Sequence, residues 1–263
     1  MASMGALRRG LPAAIGAVAL LLGCPPAAPG VGAVAPVLAD AAGPTAYRVR
    51  DVSARGDLGC AVLGDGRLAC WSNSADDSDA EARVSTPPSG TFKAVSVGWL
   101  DACAVRTNRS VVCWGETSGD RGVPTDASFD TVSVGGGHAC GLRTDGTIAC
   151  WGANISGEAA PPNGAFTAVS AGGGHTCAIG SDGRLSCWGS NEYGQATAPE
   201  GLFSAVSAGA EDTCAIGIHG TLTCWGPDYV AGATMVPSGS FTAVSTLGDA
   251  HCAIRLDATI VCW

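Results

Sequence analysis

From residue 49 to the end of the chain, apolar and polar positions alternate in short runs separated by glycine-rich breaks. Phe166-Thr-Ala-Val-Ser170 alternates as a half-buried strand does. Ala171-Gly-Gly-Gly-His175 interrupts it, and Thr176-Cys-Ala-Ile-Gly180 is a second run of strand type. Ser181-Asp182-Gly183 reads as a turn, with glycine where the backbone goes left-handed, and Arg184-Leu-Ser-Cys-Trp188 as a third strand. Gly189-Ser-Asn191 opens a loop with an Asx turn at the asparagine. A short polar fourth strand around Gln195 to Thr197 then leads to Pro199. The same order recurs along the chain: Phe129, Phe166 and Phe203 lie 37 residues apart, and all five phenylalanines stand eleven residues before a cysteine. A period of this length points to a solenoid or a propeller.

The cysteines carry the same period. Twelve of the thirteen form six pairs of equal spacing: Cys60 with Cys70, Cys103 with Cys113, Cys140 with Cys150, Cys177 with Cys187, Cys214 with Cys224 and Cys252 with Cys262. A tryptophan follows each second member, at 71, 114, 151, 188, 225 and 263. A three-residue loop at 181–183 pairs residue 180 with 184 and so sets Cys177 opposite Cys187 across an antiparallel ladder, close enough for a disulfide. One pair per unit, ten residues apart, does not bring together the four ligands that zinc needs, so no metal and no cofactor are expected.

Four short strands in each of six units make an all-β propeller with one hairpin disulfide per blade. Alternation puts Cys177, Ile179, Leu185 and Cys187 on one side of a blade and Ala178 and Trp188 on the other. Both sides are apolar, as a blade between two neighbours requires, and the tryptophans are read as packing groups.

The string built on Phe166, Val169, Gly172, His175, Asp182, Gly183, Trp188, Gly189, Asn191, Gly194 and Gln195 resembles the repeats of the regulator of chromosome condensation family. The resemblance spans residues 47–263. It implies a propeller, seven-bladed in most of the family, that binds another protein through loops on one face. A secreted bacterial beta-lactamase inhibitory protein and plant crinkly-type receptor kinases are similar in setting. Six units are visible here and the last stops at Trp263, so a six-bladed ring and an incomplete one both stay open. Arg109 and Ala258 replace the turn glycine, Leu247 replaces a loop glycine, and His251 is shifted by one place.

The first residues add the compartment. Arg8 and Arg9 precede an apolar stretch, 11–23, that is too short to span a bilayer. Leu21-Leu22-Gly23-Cys24 then resembles a lipobox, which makes the odd cysteine, Cys24, a lipidation site. Ala33-x-Ala35 is a rival cleavage site for simple secretion. The expected division is a signal peptide over 1–23, lipidated Cys24 with a Pro/Ala/Gly-rich linker over 24–46, and the propeller over 47–263. The protein is thus expected in a bacterial cell envelope, held to the membrane by a lipid alone, or else secreted. Net charge is −9; taking Arg8 and Arg9 from the 14 basic residues leaves 12 against 23 acidic ones, or −11. Lys93 is the one lysine, and without clustered cations nucleic acid is not an expected partner.

No Gly-x-Ser-x-Gly, His-Glu-x-x-His or phosphate-cradling loop occurs, and no enzyme is expected. His138 and His175 stand two residues before their cysteines, and Asp101 and Asp212 take that place in two other units. They read as loop groups hydrogen-bonding between blades; a cation-binding ring is the alternative. Arg55-Gly56-Asp57 is an adhesion-type tripeptide on an expected loop, and Asp76, Asp77, Asp79 and Glu81 form an acidic insertion that reads as solvated. In an up-and-down blade the loop before the first cysteine and the loop after the tryptophan share one face. That face gathers Trp99, Leu100, Asp101, Tyr193, Glu211, Asp212 and Tyr229, which are the candidate partner-binding residues. The expected function is an extracytoplasmic, monomeric module that binds a protein; a structural or adhesive surface lipoprotein is the alternative.

Overall fold

The alternating runs become strands, three to a sheet, wherever apolar side chains recur at every second position. In the computed structural model, residues 48–72, 84–115, 122–227, 236–247 and 250–263 are described. The first sheet holds β1 (Val49–Arg55), β2 (Leu58–Leu63) and β3 (Leu68–Ser72), and the second β4 (Phe92–Val97), β5 (Asp101–Arg106) and β6 (Val111–Gly115). Next come β7 (Phe129–Val134), β8 (His138–Arg143) and β9 (Ile148–Gly152), then β10 (Phe166–Ala171), β11 (His175–Gly180) and β12 (Leu185–Gly189). The last two sheets are β13 (Phe203–Ala208), β14 (Thr213–Gly217) and β15 (Leu222–Trp225), and β16 (Phe241–Leu247), β17 (Ala250–Arg255) and β18 (Ile260–Cys262). All six are antiparallel with the strands in sequence order.

Each of the six expected cysteine pairs forms its disulfide across the second and third strands of a sheet. Cys60 is bridged to Cys70, Cys103 to Cys113 and Cys140 to Cys150. Cys177 is bridged to Cys187, Cys214 to Cys224 and Cys252 to Cys262. In every sheet the two partners sit directly opposite one another in the ladder. The second members are less enclosed than the first: Cys113 is buried, but Cys70, Cys150, Cys187 and Cys224 are half-buried, because the third strand lies at the outer edge of its sheet.

The fourth strand does not form among the described residues. Its place after the tryptophan is taken by turns that satisfy their backbone through side chains. Asn191 Oδ1 accepts the Ala196 N–H at 3.0 Å, and Gln195 Oε1 accepts that of Tyr193 at 2.9 Å. In the preceding unit Asn154 and Glu158 do the same for Ala159, Ile155 and Ser156. Backbone donors met in this way have no need of a ladder. The Asx turn read from Asn191 is present; the strand after it is not.

The first strand of each sheet is innermost. β1 packs on β4, β4 on β7, β7 on β10, β10 on β13 and β13 on β16. The apolar core therefore lies in the seams between consecutive sheets. Between the first two, Leu58, Cys60 and Val62 meet Phe92, Val95 and Ala104, and later seams repeat this with Phe129, Phe166, Phe203 and Phe241. Two polar stitches recur in every seam. The Oγ of Ser53, Ser96, Ser133, Ser170 and Ser207 accepts an N–H of the next sheet, from Val97, Val134, Ala171, Ala208 and Thr246, at 2.9–3.0 Å. At the opposite end of the strands the turn carbonyls of Gly66, Arg109, Gly146, Gly183 and Gly220 accept the N–H of the next phenylalanine at 2.7–2.9 Å.

No comparable packing joins the sixth sheet to the first among the described residues, so the six sheets form an unclosed arc. The outward side of the last sheet shows it. Ile260 is 42% exposed where its equivalent Leu222 is 7%, and Cys252 is only half-buried where the five other first cysteines are buried.

Candidate functional site

The loop before the first cysteine and the loop after the tryptophan do meet. The Gly137 carbonyl accepts the N–H of Ala153, and that of Gly174 the N–H of Ser190, both at 2.8 Å. The Asp-Gly turns lie at the other end, where Ser181 donates to Ala165 at 2.8 Å. On the first face neighbouring loops stack, Gly136 donating to Gly172 and Gly173 to Gly209, each at 2.9 Å. A Cβ at Gly135 or Gly172 would lie 2.4 or 2.5 Å from the next loop's carbonyl oxygen, so no side chain fits there.

Against this glycine floor the remaining side chains stand out. Trp99 is 57% exposed, and Leu100 and Tyr193 are exposed on the same face. Asp101 and Glu211 are half-buried at its rim. Ile155, 92% exposed, belongs with them and escapes a reading based on loop aromatics. Its signal is register: it stands in the third unit where the fourth has Glu192, an aliphatic in a place built for water. Tyr229, the acidic insertion, Cys24, the leader and the linker lie outside the described residues.

Asp212 is placed elsewhere than expected. It is buried in the seam between the fifth and sixth sheets, with His251 Nδ1 3.4 Å from its Oδ2, and is closed to a partner. The same site in earlier seams holds a different pair. His138 Nε2 lies 2.7 Å from Thr176 Oγ1, and His175 Nε2 lies 2.8 Å from Thr213 Oγ1. The threonine hydroxyls donate to the carbonyls of Glu158 and Gln195 at 3.0 Å. Each histidine must therefore donate from Nε2, leaving Nδ1 unprotonated. Burial, its largest cause, pushes both imidazoles down to about 4, and they are neutral at physiological pH. In the last seam the roles are exchanged: aspartate takes the histidine place and His251 the threonine place. That exchange accounts for the shift of His251 by one position. These residues join blades, as loop groups bonding across a seam do. Asp212, Cys214 and His251 do bring ligand-type atoms within 4.8 Å of one another, but Cys214 is bridged to Cys224 and offers no thiolate.

The adhesion tripeptide is displayed only in part, with Gly56 and Asp57 exposed and Arg55 buried. Arg55 is the last residue of β1 and only 9% exposed, while Gly56 and Asp57 form the turn after it. Register puts Arg55 at the place held by Gly98, Gly135, Gly172 and Gly209 in the following sheets, and its guanidinium lies 5.9 Å from the centre of the Trp99 ring.

Comparison with known proteins agrees with this architecture. Residues 129–158 and 166–195 match the Regulator of chromosome condensation (RCC1) repeat. No curated protein sequence matches the chain. The CRINKLY WD40 ectodomain of the Arabidopsis thaliana receptor kinase ACR4 is similar in structure, with a TM-score of 0.66, 25% identity, and coverage of 81% of this chain and 79% of that one. The entire ectodomain of the Physcomitrella patens receptor kinase CR4 gives 0.67 at 27% identity; 81% of this chain spans 60% of that ectodomain. Prp20p of Saccharomyces cerevisiae gives 0.66 at 14% identity, over 81% of this chain and 70% of that one, and shares the fold alone.

Proposed function

We propose that this RCC1-like propeller is a rigid platform that works outside the cytosol and binds a protein through the face bearing Trp99. The observation that carries the reading is the exposure of Trp99, Leu100, Ile155 and Tyr193 on a face whose inner loops stack through glycines such as Gly135 and Gly172. Large exposed aromatics on a stiff support lose little conformational freedom on binding, which is why such residues dominate protein interfaces. Six disulfides in a chain of this length fit an oxidising compartment. The similarity to the ectodomains of two receptor kinases supports the same setting. The N-terminal reading completes it: a signal over 1–23, a lipid on Cys24, and residues 24–46 as a tether for the propeller over 47–263.

Two measurements test the proposal. Expressed in a diderm bacterium, the wild type should sediment with membranes and Cys24→Ala should appear in the soluble fraction; a soluble wild type starting at Pro36 would mean simple secretion. The purified domain should retain a specific partner from secreted proteins of its own source. Trp99→Ala or Tyr193→Ala should weaken capture at least tenfold, and Asp182→Ala on the opposite face should leave it unchanged. Equal loss from both faces would refute the assignment.

A further inference from the structure

Arg55 has no counter-charge among the described residues. Among the described residues no carboxylate lies within ion-pair distance of its guanidinium and no acceptor takes its hydrogen bonds. Burial alone shifts its pKa, downward, with no acid opposing it. Arg55 is only 9% exposed as a residue, yet its guanidinium nitrogens are not fully enclosed, so the charged head still meets solvent and is open to an incoming group. The position is also exceptional: the four following sheets have glycine there, and a Cβ at Gly98 would lie 2.6 Å from Val134 Cγ1. Only between the first and second sheets is there room for a side chain. There the guanidinium lies beside the exposed ring of Trp99, and its charge lowers the proton affinity of both His138 and His175, after burial in each case. The group is therefore at the inner end of the binding face.

We infer that Arg55 receives a carboxylate from the bound protein, an Asp or Glu side chain inserted beside Trp99. This rests on the proposed protein-binding face and names the chemistry that the face selects. The planar guanidinium matches a carboxylate in a two-point contact, and Trp99 offers an apolar wall to its methylenes. A single cation suits a monoanion. His138 and His175 are neutral and add no positive charge.

The test uses the full chain and two peptides, acetyl-Ala-Glu-Ala-amide and its glutamine counterpart, at constant ionic strength. The Arg55 Nε–H resonance is followed by NMR. The glutamate peptide should shift it to saturation, with the glutamine peptide at least tenfold weaker. In Arg55→Met, followed through the indole N–H resonance of the neighbouring Trp99, the two peptides should behave alike. Equal response of the wild type to both peptides, or a difference at the Trp99 indole that persists in a folded Arg55→Met protein, would overturn the inference. If Arg55→Met does not fold, the wild-type titration decides alone. Should capture still depend on Trp99 while the two peptides behave alike, this inference falls and the binding face stands; if the peptides differ and no Trp99-dependent capture is found, the reverse holds.

Discussion

Two non-glycine residues take the left-handed turn position that four other units give to glycine. Arg109 has φ of 72° and Ala258 of 65°, against 83° to 88° at Gly66, Gly146, Gly183 and Gly220. The Cβ of an L-residue is crowded there at a cost of about 1–2 kcal/mol. Ala258→Gly should therefore raise stability by about 1 kcal/mol, seen as a melting shift of about 2–4 °C. Arg109→Gly should gain less, because it gives up a 2.7 Å contact with Asp130. The buried histidines set the response to acid. Their folded pKa values, about 4, lie below the unfolded value near 6.5, so between these limits the unfolded chain binds more protons and stability falls as pH falls. Asp51 acts the other way. Burial, opposed by the N–H groups of Val95 and Val52, pushes its carboxyl up to about 6, so it favours the folded state towards low pH and that contribution is lost as pH rises through 6. Two imidazoles outweigh one carboxyl by roughly 4 kcal/mol at most between pH 6.5 and 4. Urea melts at pH 7 and pH 4.5 should differ in midpoint, and His138→Gln with His175→Gln should remove the acid loss. Equal midpoints for the wild type would contradict the neutral-imidazole account.

The unit of structure is the bridged hairpin, and it was readable because a ten-residue interval and a three-residue turn permit one register. β11 and β12 pair Cys177 with Cys187 as the interval requires. The bridge closes a loop of about eleven residues, which chain entropy values at about 3 kcal/mol. Replacing Cys177 and Cys187 together by alanine should cost up to that amount, measured by denaturant midpoint, without changing the strands seen by circular dichroism. The fourth strand was not readable. Polar residues near Gln195 alternate as an edge strand would, yet the amide side chains of Asn191 and Gln195 take the backbone donors locally. Asp212 misled for a related reason. A charged residue in a loop-flanking position looks solvent-facing until the next unit, 39 residues on, is seen to place His251 against it. Arg55 was hidden by the opposite effect: a familiar tripeptide drew attention to a loop, while register with four glycines marks it as the end of a strand.

At the scale of the molecule the main packing among the described residues is between consecutive sheets, so stability is a sum of units and seams. The sixth sheet has one seam where the inner sheets have two. Its amides should exchange with solvent sooner than those of β7 to β12, and the order should be visible in native-state hydrogen exchange. Leu222→Ala, inside the fifth seam, should cost about 2–4 kcal/mol, whereas Ile260→Ala on the open side should cost under about 1 kcal/mol. Comparable losses at both sites would mean that the open side is covered in solution.

The hairpin bridges also govern how the chain yields to a pulling force. From Phe166 to Phe203 there are 37 residues, and the link from Cys177 to Cys187 removes ten of them from any extension. A bridged unit drawn out from its ends can lengthen to about 95 Å, against about 130 Å once its cysteines are reduced, at ~3.5 Å per residue. Under an atomic-force tip the arc should part in near-equal steps of the shorter span, starting from the sheet with a single neighbour, and a thiol reductant should lengthen each step. Each of the six bridges acts as a stop that limits how far its unit can be drawn out.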